Sequence, residues 1–322
     1  MVENKRKQYL KRYFGIFLGV LYGVMFRLLS IDMDIYDFNG VTFLVIIPII
    51  LSILPITFSS TEIYKSKLKL FFYPFFTHIL FFIVTFVTGL EDLLCILILG
   101  IPYFVIVGIV GLLAGFLIRD INNYNPNKKI YFILIFPFIT SPIEHIFPNK
   151  SERFLVEENI IINKNYKKVW ENILAVPKIK EEEYKNGIFQ YIGIPRPICS
   201  VVYNNDKVKR YRVGYFTGGL ELYEEIKKEE KYTFVQFEID ISKSRLRDTP
   251  TDKHILNNEE LFKFETISYR LEPISENRTK LVLNCEYQLN SKMNFYAQFW
   301  ADKIILDFEK RLLSVLKLKL EE

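Results

Sequence analysis

The chain has 322 residues, of which 50% are hydrophobic, 16% aromatic and 25% charged, averages ordinary for a soluble globular protein. Divided at residue 150, they separate: the first part holds 13 Lys/Arg and 9 Asp/Glu, the second 29 and 28, so two domains are predicted, 1–148 and 149–322. The net charge of +5 falls mostly in the first part, leaving the charged second part almost neutral. That excludes the basic footprint of a nucleic-acid binder, and three cysteines without metal spacing exclude a disulfide scaffold or a zinc site.

Five apolar runs occupy the first part, at about 14–29, 41–58, 70–90, 93–118 and 130–147. A helix crosses a bilayer core with roughly 20 apolar residues. The third and fourth runs meet that length, the first two sit at its short end, and Pro137, Pro142, Glu144 and His145 dilute the fifth. The expectation is an α-helical membrane bundle of about five spans.

The connecting charges alternate. Lys5, Arg6, Lys7, Lys11 and Arg12 precede the first run; Asp32, Asp34 and Asp37 follow it. Lys65, Lys67 and Lys69 lie after the second, Glu91 and Asp92 after the third, and Arg119, Lys128 and Lys129 after the fourth. Positive loops stay in the cytoplasm, which puts the N-terminus inside. If the fifth run crosses, the second domain is extracytoplasmic, which is the expectation; if it only dips in, that domain is cytoplasmic. Usage rich in Lys, Ile and Asn points to a low-GC bacterium and its plasma membrane.

Gly15, Gly19 and Gly23 share one helix face, as do Gly111 and Gly115. Small residues at that spacing let helices approach closely in lipid, either inside the bundle or in a homodimer. His78 lies within the third run with no acid at similar depth and reads as structural; Arg27 reads as snorkelling to the interface. With no array of intramembrane acids, inverted repeat or filter motif, the parts of a transporter are missing.

The second domain alternates as an α+β chain. A strand is predicted at 154–163 and a helix at 166–176, with Trp170 and Leu174 four apart and Pro177 ending it. Strands follow at 198–203, 208–216, 220–227, 232–241, 261–273 and 279–289, separated by turn residues such as Gly218-Gly219 and Ser275-Glu276-Asn277. Period-two alternation implies an antiparallel sheet with one buried face. On that face the alternation places Tyr211, Val213 and Tyr215; Leu220, Leu222 and Ile226; Phe237 and its neighbours; and Cys285 with Leu281, Leu283, Tyr287 and Leu289. A long helix at 294–320 carries the stripe Phe295, Phe299, Trp300, Ile304, Phe308, Leu312 and Leu316. One long helix over a curved sheet is a helix-grip arrangement, with an apolar, aromatic cavity between them. Its tentative lining is Tyr211, Tyr215, Phe237, Cys285, Phe299 and Phe308.

These elements carry a resemblance. The stretch 160–170, with Val169-Trp170 at its end, resembles the opening strand and helix start of the START-like superfamily, also called SRPBCC or polyketide cyclase/dehydrase. Gly193-Ile194-Pro195-Arg196-Pro197, the segment 212–219 ending in Gly218-Gly219, Glu224-Glu225-Ile226 and the aromatic helix start at 295–300 resemble segments of a membrane-linked subgroup, in which about five helices precede the same domain. The match covers about 154–320. The polar loop 242–258 departs from it and reads as a cavity lid. The resemblance implies a helix-grip fold and a hydrophobic ligand, with cyclisation in a minority of members.

No catalytic residues are predicted. A nucleophile needs an adjacent base and an orienting group; His254, the domain's one histidine, lies in the polar loop with no nucleophile placed beside it. Cys199 and Cys285 fit strand faces, and Cys285 reads as a small buried hydrophobe, with a disulfide to Cys199 as the alternative outside the cytoplasm. Gly218-Gly219 reads as a hairpin turn, since no Walker lysine accompanies it. Neither cofactor nor metal is expected. Arg196, Arg210, Arg212, Glu221, Glu224, Glu238 and Asp240 read as solvated strand faces, with one or two entering the cavity to orient a ligand head. The expected partners are the membrane and a lipid or other hydrophobic small molecule, bound without turnover. A cyclase- or dehydratase-type enzyme and an assembly protein with a filled interior are the alternatives.

Overall fold

The computed structural model describes residues 2–32, 40–58, 63, 66–117, 134–205, 208–258 and 260–322, in two compact units, Met1–Asn149 and Lys150–Glu322.

The first unit is helical: α1 (Val2–Asp32), a π-helical turn (Thr42–Ile46) running into α2 (Ile47–Thr57), α3 (Lys67–Val87), α4 (Leu93–Leu117) and α5 (Phe136–Ile146). Among the described residues, three stretches are long and apolar enough to cross a membrane: Tyr13–Ser30, Lys67–Val87 and Leu93–Ala114. The five predicted spans are corrected to these three. The second run forms a shorter apolar helix, Thr42–Thr57. The fifth forms an 11-residue helix that begins at Phe136-Pro137 and contains Pro142; at 1.5 Å per residue it is about 16 Å long. Asp34, Asp37, Lys65, Arg119, Lys128 and Lys129 lie outside the described residues.

The glycine faces are used within this unit. A Cβ at Gly15 would lie 2.9 Å from the Pro55 backbone, one at Gly19 2.7 Å from Thr77 Cγ2, and one at Gly23 2.9 Å from the Phe81 ring. Gly111 likewise abuts the Phe71 backbone. Of the two uses read from the sequence, packing inside the bundle or a homodimer, the first stripe takes the first: it seats α1 on α2 and α3 of the same chain.

Arg27 does not snorkel. It is buried and ion-paired with Glu91, which precedes α4, and its Nη1 donates to Ser30 Oγ at 2.9 Å. His78 is buried and structural, its Nδ1 donating to the Pro74 carbonyl at 3.0 Å. α5 is tied to the same end of the bundle as Arg27. Glu144 accepts from the backbone N–H of Val41 at 2.5 Å and of Thr42 at 2.8 Å, satisfying donors that a helix start leaves free.

The second unit is a seven-stranded antiparallel sheet in the order β1-β7-β6-β5-β4-β3-β2. Its strands are β1 (Lys150–Ile162), β2 (Pro197–Asn205), β3 (Val208–Phe216), β4 (Glu221–Glu230), β5 (Phe234–Arg245), β6 (Phe262–Ser275) and β7 (Arg278–Ser291). Two short helices, α6 (Tyr166–Leu174) and α7 (Ile188–Tyr191), separate β1 from β2, and α8 (Asn294–Glu321) ends the chain. Asn165 caps α6 by accepting from Lys167 N at 3.0 Å. Bulges interrupt the ladder at Phe264/Thr266 and Ile226/Lys228, a device that bends strands.

α8 is fastened at both ends. At its start Asn294 accepts from Ser291 N at 2.9 Å and donates to the Lys150 carbonyl at 2.5 Å. Near its end Glu321 accepts from Asn163 N at 2.6 Å, and Lys319 pairs with Glu183 at 2.9 Å. The largest apolar cluster lies under its C-terminal half, where Leu312, Leu313 and Leu316 meet Trp170, Phe237, Tyr269 and Leu283. Burying side chains of this size contributes roughly 1.5–3 kcal/mol each.

Candidate functional site

The inner face of the sheet is the candidate ligand surface, and β3 and β4 give it an unexpected floor. Arg212 and Glu224 are directly opposed in the register, buried and ion-paired. The guanidinium also donates to the Ile173 carbonyl at 2.9 Å and lies 3.7 Å from the centre of the Phe237 ring. Gly214 makes the room: a Cβ there would lie 3.1 Å from the Phe216 ring and 3.4 Å from Glu224 Oε1. Burial alone would lower the Arg212 pKa, but Glu224 and Tyr269 beside it raise it on balance. Tyr269 is pushed up to about 12, chiefly by burial.

This pair reverses the predicted face of β3. Tyr211 and Tyr215 do not point inward. Tyr211 stacks between Tyr203 and Tyr223, with ring centres 5.3 and 4.5 Å away, and the Tyr215 hydroxyl meets that of Tyr203 at 2.9 Å, all on the outer face. The alternation was legible but its sense was not. Tyrosine tolerates solvent at its hydroxyl end, whereas a cross-strand ion pair permits two charges to be buried. Arg212 and Glu224, two of the seven strand charges of which one or two were expected to turn inward, are the inward residues.

The other predicted lining residues divide. Phe237 and Cys285 are buried on the inner face. Phe308 is half-buried, its ring 6.1 Å from that of Phe216 across the sheet–helix interface. Phe299 is 50% exposed and Phe295 70% exposed, so the aromatic start of α8 faces away and Trp300 takes the buried position. The buried face of α8 is Trp300, Ile305, Glu309, Leu312, Leu313 and Leu316. Cys199 and Cys285 are free thiols on strands β2 and β7, far apart in the strand order, so they form no disulfide. Burial pushes both thiols up, which makes them poor thiolate nucleophiles.

Glu309 is the residue that the sequence reading passed over. It is 2% exposed, and neither carboxyl oxygen has a hydrogen-bond partner among the described residues. Burial, reinforced by Glu158 and Glu157 on β1, pushes its pKa up to about 9. A signal existed: Glu309 stands four after Ile305 and three before Leu312, on the apolar stripe itself.

The loop 242–258 is an ordered cover. β5 extends to Arg245, and residues Asp252–Leu256 form a π-helical turn whose Leu256 packs near Leu220, Leu222 and Ile239. Arg247 binds Asp252 through Nη2 at 2.6 Å and Nε at 3.0 Å, and donates to the Gly193 carbonyl at 2.9 Å. Gly218, at φ +77°, lies where a Cβ would meet Arg247 Cδ at 2.9 Å. Gly193 of the Gly193–Pro197 segment and Gly218 of the hairpin turn therefore converge on one arginine. The side chain of His254 lies outside the described residues. Among those residues no group of His, Cys, Asp and Glu is arranged to hold a metal.

No family model matches the chain, and no curated relative matches it. Solved structures similar to it include an aromatase/cyclase from Streptomyces sp. R1128, 10% identical, covering 53% of this chain and 94% of that one at a TM-score of 0.33. A truncated norcoclaurine synthase from Thalictrum flavum is 9% identical, covering 54% and 97% at 0.33. An uncharacterised protein from Rhizobium leguminosarum is 13% identical, covering 54% and 99% at 0.32. By its own strand order and its long terminal helix, the second unit is a helix-grip domain.

Proposed function

We propose that this protein is a membrane-anchored START-like binding module, which holds a lipid or other hydrophobic molecule between sheet and α8 without transforming it. The observation that carries this reading is Phe216 opposite Phe308. Both rings lie between sheet and helix, yet both stay only half-buried, as do Ile241, Phe264 and Ile267 around them. Inward apolar surface that the protein's own packing leaves incompletely covered is what an apolar ligand covers.

The chemistry of the inner face supports binding over turnover. The Arg212–Glu224 pair is engaged with itself, Ile173 and Phe237, and the Cys285 thiol is held protonated. Anchoring supports the same reading, because it keeps the domain at the surface where such ligands reside and raises their effective concentration. The side of the membrane is read from the charge alternation: with the basic N-terminus in the cytoplasm, the second domain is taken as extracytoplasmic, and the ties of Glu144 in α5 to the Val41 and Thr42 backbone, just after α1, support that side.

Native mass spectrometry of the full chain, released from nanodiscs, tests the reading. Co-purified apolar ligand with unchanged mass is the expected result. An empty domain that also ignores added lipid favours the assembly protein, and chemically altered ligand favours the enzyme.

A further inference from the structure

The inner face contains two apolar clusters that meet under α8. One joins Ile305 to Val156, Cys285 and Tyr287; the other joins Leu312 and Leu313 to Phe237, Tyr269 and Leu283. Glu309 stands on the same helix face between Ile305 and Leu312, at the seam. Ile267 touches both clusters and is only partly buried. Opposite the seam, the register places Cys285 and Leu283 on β7 against Val156 and Glu158 on β1, and Ile267 and Tyr269 on β6. Leaving a buried polar group without a hydrogen-bond partner costs the full loss of its hydration. A protein that places one in such a seam leaves two oxygens for something else to satisfy.

We propose that Glu309 anchors the head of the bound ligand, and that this head is a hydrogen-bond donor, a hydroxyl or an amine, and not a carboxylate or phosphate. This rests on the binding reading above and specifies its ligand class. An anionic head would need a cation. The buried Arg212 is already taken by Glu224 and the Ile173 carbonyl, and the charged side chains of β1 that act on Glu309 are acidic, Glu158 and Glu157. Lys310, next to Glu309 in the chain, is turned to Glu158 at 3.6 Å. A hydroxyl or amine donates to a carboxyl oxygen, and its apolar tail lies along Ile267 toward Phe308 and Phe216. Glu309 in its protonated form also donates one hydrogen bond, matching a hydroxyl, whereas an amine takes the proton and forms an ion pair.

The test is photolabelling of the full chain in nanodiscs with palmityl alcohol, palmityl amine and palmitic acid, each bearing a mid-chain diazirine. Labelled peptides are read by mass spectrometry, and melting curves are recorded for every variant. Alcohol or amine label on peptides from β7 and α8, exceeding that from the acid, is the expected result, and the stronger of the two identifies the head. Glu309→Leu, which keeps the volume and removes the acceptor, is expected to cut this labelling by about tenfold, the loss of one strong hydrogen bond. Glu309→Gln retains most of the alcohol label and loses that of the amine. Equal labelling by the acid, or unchanged labelling in a folded Glu309→Leu protein, overturns the inference while leaving the pocket intact. Absence of interior label from all three probes rejects the pocket reading together with it.

Discussion

Arg247 and Asp252 form a forked ion pair five residues apart, and it holds the cover of the domain in place. Asp252 is fully buried, and Arg247 Nε and Nη2 reach its two oxygens at 3.0 and 2.6 Å. A fork of this kind is specific to arginine. Arg247→Ala leaves the Asp252 carboxylate buried and unpaired, a loss of about 3–5 kcal/mol when a buried pair is broken. The expected outcome is a lower melting temperature, with faster amide exchange concentrated in 246–258. Arg247→Lys is expected to recover only part of it. Exchange spread evenly over the domain would count against a latch.

The floor pair gives a second prediction. Arg212→Met alone leaves Glu224 charged inside the sheet face and is expected to cost about 3–5 kcal/mol. The double variant Arg212→Met/Glu224→Leu removes both charges and is expected to regain most of that loss. Thermal unfolding of the two single variants and the double closes the cycle; simple additivity would mean that the pair does not interact.

Glu309 makes stability depend on pH in a stated direction. Its pKa in the folded protein is about 9, against 4.5 for an ordinary glutamate. Between these values the unfolded chain has released a proton that the folded chain still holds, so stability falls as pH rises through that window and levels off above it. The slope from this one group is at most about 1.4 kcal/mol per pH unit. Glu158 and Glu157 from β1, Cys285 from β7 and Tyr269 from β6 are its titratable neighbours. Glu309→Gln is expected to match the parent near pH 4 and to exceed it at pH 8. Parallel melting-temperature profiles would mean that Glu309 ionises freely.

In the helical unit, Gly19 and Gly108 differ sharply. A Cβ at Gly19 falls 2.7 Å from Thr77 Cγ2, whereas one at Gly108 meets nothing within 4 Å. Gly19→Ala is expected to destabilise the bundle by about 1–3 kcal/mol through overpacking, and Gly108→Ala to leave it unchanged. Melting of the detergent-solubilised chain compares them.

Phe299 and Leu312 test the face of α8. Leu312→Ala is expected to cost about 2–5 kcal/mol, and Phe299→Ala, at an exposed position, well under half of that. Equal melting shifts would restore the aromatic face to the interior.

Alternation and spacing made the order of the elements legible, including all seven strands and the terminal helix, because each strand shows period-two patterning between turn residues. The sense of β3 was not legible. Hydropathy turns Tyr211 and Tyr215 inward, while burial follows the partners that Arg212 finds in Glu224 and Ile173, and partners across strands have no local signature. For the same reason Arg27 read as an interface residue, although Glu91, 64 positions later, brings it inside. Span count differed for another reason: the second run folds as the shorter apolar helix Thr42–Thr57, and the first residues of the fifth run, 130–133, lie outside the described residues.

The two fastenings of α8, Asn294 on the start of β1 and Glu321 on Asn163, make the helix a beam supported at both ends. Between those supports the helix is also held from one side, where Gln190 donates to Asp307 at 3.3 Å and Arg311 donates to the Lys185 carbonyl at 2.6 Å. Both end fastenings grip the same strand, one at Lys150 where β1 starts and one at Asn163 just past its end. A force on the middle of α8 would therefore be returned to the sheet through both ends of β1.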